Sequence, residues 1–452
     1  MFLNKENSIA KSNYNRWFVP IAALSIHLCI GQIYAFSVFN KPLTKIIGIT
    51  EQLPEDWKLT ELGWIFTLAI FFLGASAAVL GKWVERVGPR QTMFFAAICF
   101  SSGFLLSALG IYLHELWMLY LGSGVLGGIG LGLGYISPVS TLIKWFPDRP
   151  GMATGMAIMG FGGGAMIASP LSVHLMEFFA TDTSTGVSET FLTMGLIYLV
   201  LMMFGSLIVR IPAEGWKPEG YDPKTTKKNK LITTHNVLVD NAVKTPQFWL
   251  LFMVLGLNVS AGIGVLSQAS VMIQEMFGAD TMGTAAVTAR DAAIFVGLLS
   301  MFNMIGRFVW SSLSDYLGRK TTYAIFFTLG IVLYVLIPFT GKIGSVLLFT
   351  AAFSVIISMY GGGFATIPAY LRDMFGTKQI GAIHGRLLLA WSMAAIIGPV
   401  TINYMREYQM ETLNMPSADV YNITMYLMAG LLFIGLLCNL MIKPVDAKFH
   451  DD

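Results

Sequence analysis

Charge is scarce in this chain: 12% of its 452 residues are Asp, Glu, Lys or Arg, against about 25% in soluble domains. That shortage excludes an ordinary soluble enzyme and a disordered segment, both of which depend on polar side chains to stay in water. Cysteine is scarcer still, with three residues, Cys29, Cys99 and Cys438, each inside an apolar run. Such placement excludes a disulfide framework and a cysteine-rich metal centre, and leaves packing as their use. Nor is one sign in surplus. The 29 basic and 26 acidic residues nearly cancel, so no nucleic-acid partner is expected. The apolar stretches lack clustered His, Asp and Glu and lack a nucleophile beside a base, so catalytic residues, metal and cofactor are all expected to be none. A removable leader is disfavoured as well, because the first apolar stretch runs past Phe36 without a small-residue cleavage site.

Apolar length is what the chain has in excess. Its mean hydropathy is +0.65, and segments long enough for the ~20 residues that span a bilayer recur twelve times. They cover 17–39, 61–84, 92–113, 116–142, 151–179, 190–211, 246–276, 290–313, 321–340, 344–371, 379–405 and 418–442. The longest polar stretch separates the sixth from the seventh and carries Lys217, Lys224, Lys227, Lys228 and Lys230. The expected organisation is a six-helix bundle over 1–211, a linker over 212–245 and a second six-helix bundle over 246–452. With both termini and the linker in the cytoplasm, 22 of the 29 basic residues lie on that side, six lie opposite, and one, Arg307, falls inside a span.

The second half repeats the first at an offset of 230 residues. Glu85 and Gly88 in the loop after the second span match Asp315 and Gly318 after the eighth, and Gly132, Pro138, Gly151 and Gly155 match Gly362, Pro368, Gly381 and Gly385. Two copies with an even helix count are parallel, related by an axis along the membrane normal, with a substrate path between them.

These acid-x-x-Gly-basic loops, the six-plus-six order and the basic linker resemble the major facilitator superfamily over the whole chain. Within it, the stretch from Gly31 through Tyr34 to Ser37, Trp145-Phe146-Pro147, Thr245 to Trp249, Asn303 to Arg307, Asp373 to Thr377 and Gly381 to Gly385 resemble the oxalate:formate antiporter family, which includes monocarboxylate carriers. The resemblance implies an all-α integral membrane fold of twelve helices in two pseudo-symmetric bundles, placed as a multi-pass protein in a plasma (inner) membrane. It implies a secondary transporter acting as a monomer.

Arg307 is the most informative residue. A guanidinium inside a span costs at least ~2.5 kcal/mol and marks function by default. Ser300, Asn303, Arg307, Ser311 and Ser314 recur at helical spacing, whereas Leu298, Phe302, Ile305 and Val309 take the other side, so the polar stripe is expected to face a cavity. The planar donor fork suits a carboxylate, which makes a small organic anion the expected partner beside the lipid bilayer. Asn303, one turn earlier, is placed to hold the substrate or the guanidinium. The resemblance implies that Tyr34, Tyr360 and Phe364 line the site. Tyr135 and Trp391 are further candidates for its wall. In animal monocarboxylate carriers an aspartate stands where Asn303 does and takes part in proton coupling. Asparagine does not titrate, and His27 is the alternative coupling residue. Trp391 stands where the oxalate-exchanging relative has a lysine, and one cation in place of two favours a monocarboxylate over oxalate. Proton symport and anion exchange both fit.

Glu85, Arg86, Gly88 and Arg90, with Asp315, Gly318 and Arg319, form the two loops expected to latch the bundles by pairing acids with bases or helix ends. Alternatives from other classes are a carrier of drugs or sugars and a metabolite sensor that does not transport.

Overall fold

The computed structural model describes residues 3–11, 13–220, 231–278, 282–416 and 419–451. Lys224, Lys227, Lys228 and Lys230 of the linker lie outside them. Twelve helices are long and apolar enough to cross a membrane: α1 (Arg16–Phe36), α2 (Glu61–Val87), α3 (Pro89–Leu113), α4 (Leu116–Trp145), α5 (Pro150–Phe179), α6 (Val187–Ile208), α7 (Pro246–Leu266), α8 (Ile294–Leu317), α9 (Arg319–Lys342), α10 (Val346–Phe375), α11 (Ile380–Gly398) and α12 (Asn422–Met441). Among the described residues, extended pairing is confined to two isolated bridges, Ile9 with Ile211 and Thr181 with Ser184. In a bilayer each helix satisfies its own backbone, which is why so apolar a chain folds this way.

Local sequence sets where the helices begin. Thr245 caps α7, its side chain accepting from Phe248 N at 3.2 Å with Pro246 at the first helical position. The helix that becomes α8 starts with a box in which Thr288 Oγ1 accepts from Asp291 N at 3.2 Å and Asp291 accepts from Thr288 N at 3.0 Å. The first span departs from the expected plain helix: it is α-helical over Val19–Ile30 and tightens to a 3-10 spiral over Gly31–Phe39.

The repeat is visible in three dimensions. Gly88 and Gly318 join α2 to α3 and α8 to α9, and both hold φ at 85°, a conformation that a side chain would strain. Within the first bundle α1 packs on α4, α5 and α6, and α3 packs on α4 and α6; in the second α7 packs on α8, α10, α11 and α12, and α9 on α10 and α12. Between bundles, α2 meets α11 and α5 meets α8 and α10. The first two pairs are images of each other under the repeat, and each depends on a glycine. A Cβ added at Gly155 of α5 would lie 2.9 Å from Arg307 O, and one at Gly385 of α11 would lie 2.2 Å from Ala77 O. Such bare backbone lets helices approach and slide.

Candidate functional site

α8 presents its polar stripe inward. Asn303, Arg307, Ser311 and Ser314 are buried, while Ile305 and Val309 are exposed on the opposite side. The stripe does not face an open cavity, as its periodicity led us to expect; it is sealed against α5 and α10. Arg307 has no solvent exposure. Its Nε donates to Asn303 Oδ1 at 3.0 Å, Nη1 to the Ile158 carbonyl of α5 at 3.4 Å, and Nη2 to Tyr34 Oη of α1 at 3.5 Å. The last two are long, and no acidic side chain pairs with it among the described residues. Burying a cation without a counter-charge is costly, so the arrangement is one that an incoming anion stabilises.

Aromatic rings enclose the guanidinium from both bundles. Its Cζ lies 5.4 Å from the ring of Phe161, 5.6 Å from Phe364 and 5.8 Å from Tyr34, distances at which the ring faces attract a cation. Tyr34 Oη and Tyr360 Oη stand 3.4 Å apart across the bundle interface. Trp391 packs on Phe364 at 4.5 Å and on Phe161 and Tyr135 at 5.7 Å each. The chain thus brings Arg307, Asn303, Tyr34, Tyr135, Tyr360, Phe364 and Trp391 into one connected group. Phe161, the residue that touches most of it, was not among the expected lining residues. Its only sequence signal is a large ring inside Gly160-Phe161-Gly162-Gly163-Gly164, where it is free to reach across. His27 joins the group through Tyr135, with ring centres 5.5 Å apart. His384, in the first turns of α11, is buried and lies 5.7 Å from the Tyr135 ring.

A cavity of about 1480 Å³ opens on the face that carries both termini, lined among others by Ser137, Lys144, Asp148, Asp315 and Arg319. The two acidic loops sit here and exchange helix ends between bundles. Asp315 Oδ1 and Oδ2 accept from Gly151 N and Met152 N of α5, both at 2.9 Å, and Glu85 Oε1 accepts from Gly381 N of α11 at 2.9 Å. A carboxylate on a helix N-terminus gains from both the free N–H groups and the helix dipole. Arg319 holds Asp315 at 2.6 Å and Asp373 at 3.1 Å, and Lys144 holds Glu85 at 2.8 Å. Arg90 turns elsewhere, donating to Asn7 O at 2.9 Å and Val209 O at 3.5 Å. Arg86 is exposed and makes no ion pair among the described residues.

Residues 22–399 match the Major Facilitator Superfamily. The chain belongs to that superfamily. It is a multi-pass membrane protein and a secondary transporter, not an enzyme. The oxalate:formate antiporter of Oxalobacter formigenes is 26% identical over 385 residues, which cover 85% of this chain and 83% of the antiporter. Apicoplast pyruvate carrier 1 of Toxoplasma gondii is 24% identical over 442 residues, covering 88% and 78%. Among solved structures, the Escherichia coli fucose:proton symporter FucP superposes with a TM-score of 0.65 at 13% identity, over 94% of this chain and 99% of that one. The last likeness concerns the fold alone.

Proposed function

We propose that this major facilitator carries a small monocarboxylate, of the lactate, pyruvate or formate type, across a plasma (inner) membrane by alternating access. Both termini are then cytoplasmic, and the cargo is an anion clamped at Arg307. The observation that carries this reading is the buried guanidinium with no acidic partner among the described residues. Its planar fork matches a carboxylate bidentately. Asn303 holds Nε at 3.0 Å, which aims the terminal nitrogens away from α8 and toward the bundle interface. Among the described residues, the aromatic group around it holds one cation, the charge that a single carboxylate balances. Two relatives whose names denote carriers of small carboxylates, one for oxalate and formate and one for pyruvate, support the substrate class.

Mechanically, the halves rock about the site while the latches on the terminal face open and close. The site is assembled within one chain, so a monomer suffices. In a symport cycle the proton enters at His27 Nε2; His27 Nδ1 lies 3.2 Å from the Ala23 carbonyl, which only accepts, so Nε2 keeps its lone pair. In an exchange cycle a second carboxylate replaces the proton.

Proteoliposome uptake of labelled formate, lactate, pyruvate and oxalate under an inward proton gradient tests the reading. The expected result is transport of a monocarboxylate that Arg307→Ala abolishes. Equal transport by the variant makes Arg307 structural, and absence of any carboxylate flux in both proteins sinks the anion reading.

A further inference from the structure

Two helices of the second bundle, α8 and α10, cross at the clamp, and each contributes a glycine to the crossing. A Cβ added at Gly306, the residue before Arg307, would lie 2.1 Å from Ser358 O of α10. One added at Gly361, the residue after Tyr360, would lie 2.3 Å from Asn303 O of α8. Both distances end on backbone, which does not swing aside as a side chain does. Since carbon and carbonyl oxygen keep at least about 3.3 Å apart, a methyl group at either position requires the helices to part by roughly 1 Å.

Gly361 also meets the clamp itself. The same added Cβ would lie 2.6 Å from Asn303 Oδ1 and 3.1 Å from Arg307 Cγ. Asn303 Oδ1 is the atom that accepts from Arg307 Nε at 3.0 Å, so the bare backbone at Gly361 is the space in which the amide and the stem of the arginine lie side by side. The next two glycines of α10 meet other groups. A Cβ at Gly362 would lie 2.6 Å from Trp310 Cβ, and one at Gly363 would lie 2.4 Å from Asn258 Oδ1 of α7. Three successive glycines thus seat three different side chains, and only the first seats the clamp.

The place of these contacts matters in a carrier whose halves move. Asn303, Gly306, Arg307, Ser358 and Gly361 all belong to the second bundle, and the Asn303 bond has an ordinary length. The contacts of the guanidinium with the first bundle, to Ile158 O at 3.4 Å and Tyr34 Oη at 3.5 Å, are long. Rocking of rigid bundles keeps distances within a bundle and changes those between bundles. The crossing of α8 with α10 therefore keeps the fork at one depth and aim in both orientations, while the first bundle closes over it.

We propose that Gly361, with Gly306 across the crossing, is a positioning residue that sets where Arg307 presents its fork, so that carboxylate affinity depends on this helix spacing as well as on the arginine. The inference rests on the Arg307 reading and deepens it. A bidentate pair is demanding in geometry, and a misplacement of about 1 Å in a positioned group costs up to about 100-fold.

The test compares wild type with Gly361→Ala, Gly306→Ala and Gly362→Ala, each of which adds one methyl group where α8 and α10 meet. KM and kcat are measured for labelled formate, lactate and pyruvate in proteoliposomes, beside the apparent Tm in detergent. Gly361→Ala is expected to raise KM at least about tenfold with little change in kcat. Gly306→Ala should move KM the same way, and supplies the reading if Gly361→Ala does not insert. Gly362→Ala presses on Trp310 instead, and should lower Tm while leaving KM within about twofold of wild type. A KM unmoved in Gly361→Ala and Gly306→Ala, or raised equally in Gly362→Ala, overturns the positioning role and leaves the clamp standing. If Arg307→Ala carries these acids as well as wild type does, or wild type carries none of them, the clamp falls and the positioning role with it.

Discussion

Two buried arginines separated by about three helical turns have opposite surroundings. Arg319, at the start of α9, is enclosed by Asp315 at 2.6 Å and Asp373 at 3.1 Å, with Ser314 on a third nitrogen. Arg307, within α8, has an amide, a carbonyl and a phenol, the last two at 3.4 and 3.5 Å. One charge is neutralised by the protein; the other has no acidic partner among the described residues and, in the proposed function, is balanced by the substrate. Burial alone therefore does not distinguish a structural charge from a functional one; the identity of the partners does.

The largest effects come from removing each arginine. Arg319→Ala removes the counter-charge shared by two buried aspartates, leaving Asp315 to the Gly151 and Met152 N–H groups and Asp373 to Arg372, a loss of about 3 kcal/mol, and should lower the apparent Tm in detergent along with the yield. Arg307→Ala removes a charge that the fold leaves unpaired, so its apparent Tm should hold or rise while uptake falls at least about 100-fold, the loss of a charge-assisted bidentate pair. Arg307→Lys sharpens the contrast, since a point charge without the fork should recover little transport. If Arg307→Ala melts as badly as Arg319→Ala, the distinction between the two arginines collapses.

The two latches invite a smaller comparison. Asp315 and its partners are nearly buried, with side-chain exposures of 9%, 6% and 8% for Asp315, Arg319 and Asp373, whereas Lys144 beside Glu85 is 31% exposed. Asp315→Asn should weaken the closed terminal face by about 1–3 kcal/mol and Glu85→Gln by about 1 kcal/mol or less. The readout is thiol labelling of Ser137→Cys with the three native cysteines replaced by serine; Ser137 lines the cavity on that face yet has no exposed surface here, so its labelling is expected to rise as the face opens further. Equal labelling of the two variants would show that the latches are equivalent despite their different burial.

How much of this was legible beforehand follows from what each feature depends on. The spans were, because a bilayer demands length and hydropathy: 61–84 became Glu61–Val87 and 151–179 became Pro150–Phe179. The repeat was, because Gly88 and Gly318 need the same backbone angle wherever they stand in the chain. Arg307 and Asn303 stood out because polar residues one turn apart are rare in a span. The partners of Arg307 were harder to see. Ile158 and Tyr34 lie 149 and 273 residues away in sequence, and no local period encodes a contact between helices of different bundles. Phe161 was hidden among rings that make up 13% of the chain. His384 gave no signal of its own, because its burial depends on α11 beginning beneath Glu85, so that a position early in the helix is already covered.

The last comparison is between buried and exposed charge on the same face. Asp240 of the linker bridges Lys82 of α2 and Arg386 of α11, with Arg386 Nη2 at 3.0 Å. It thus crosses the same seam as Glu85 does. Side-chain hydrogen bonds from Lys82 and Arg386 hold its carboxyl below the usual carboxylate range. A lowered value in the folded protein means that the bridge contributes in full above the ordinary carboxylate pKa of about 3.9 and is lost as pH falls through the lowered one. It is constant across the neutral range. More than half of the Asp240 and Lys82 side-chain surface is open to solvent, so screening leaves it a small share. Asp240→Asn should change closure by about 0.5 kcal/mol or less, an effect that salt near 0.5 M erases. Labelling of Ser137→Cys at low and high salt checks this. A salt-insensitive effect as large as that of Asp315→Asn would mean that position across the seam, and not burial, sets what a charge contributes to the latch.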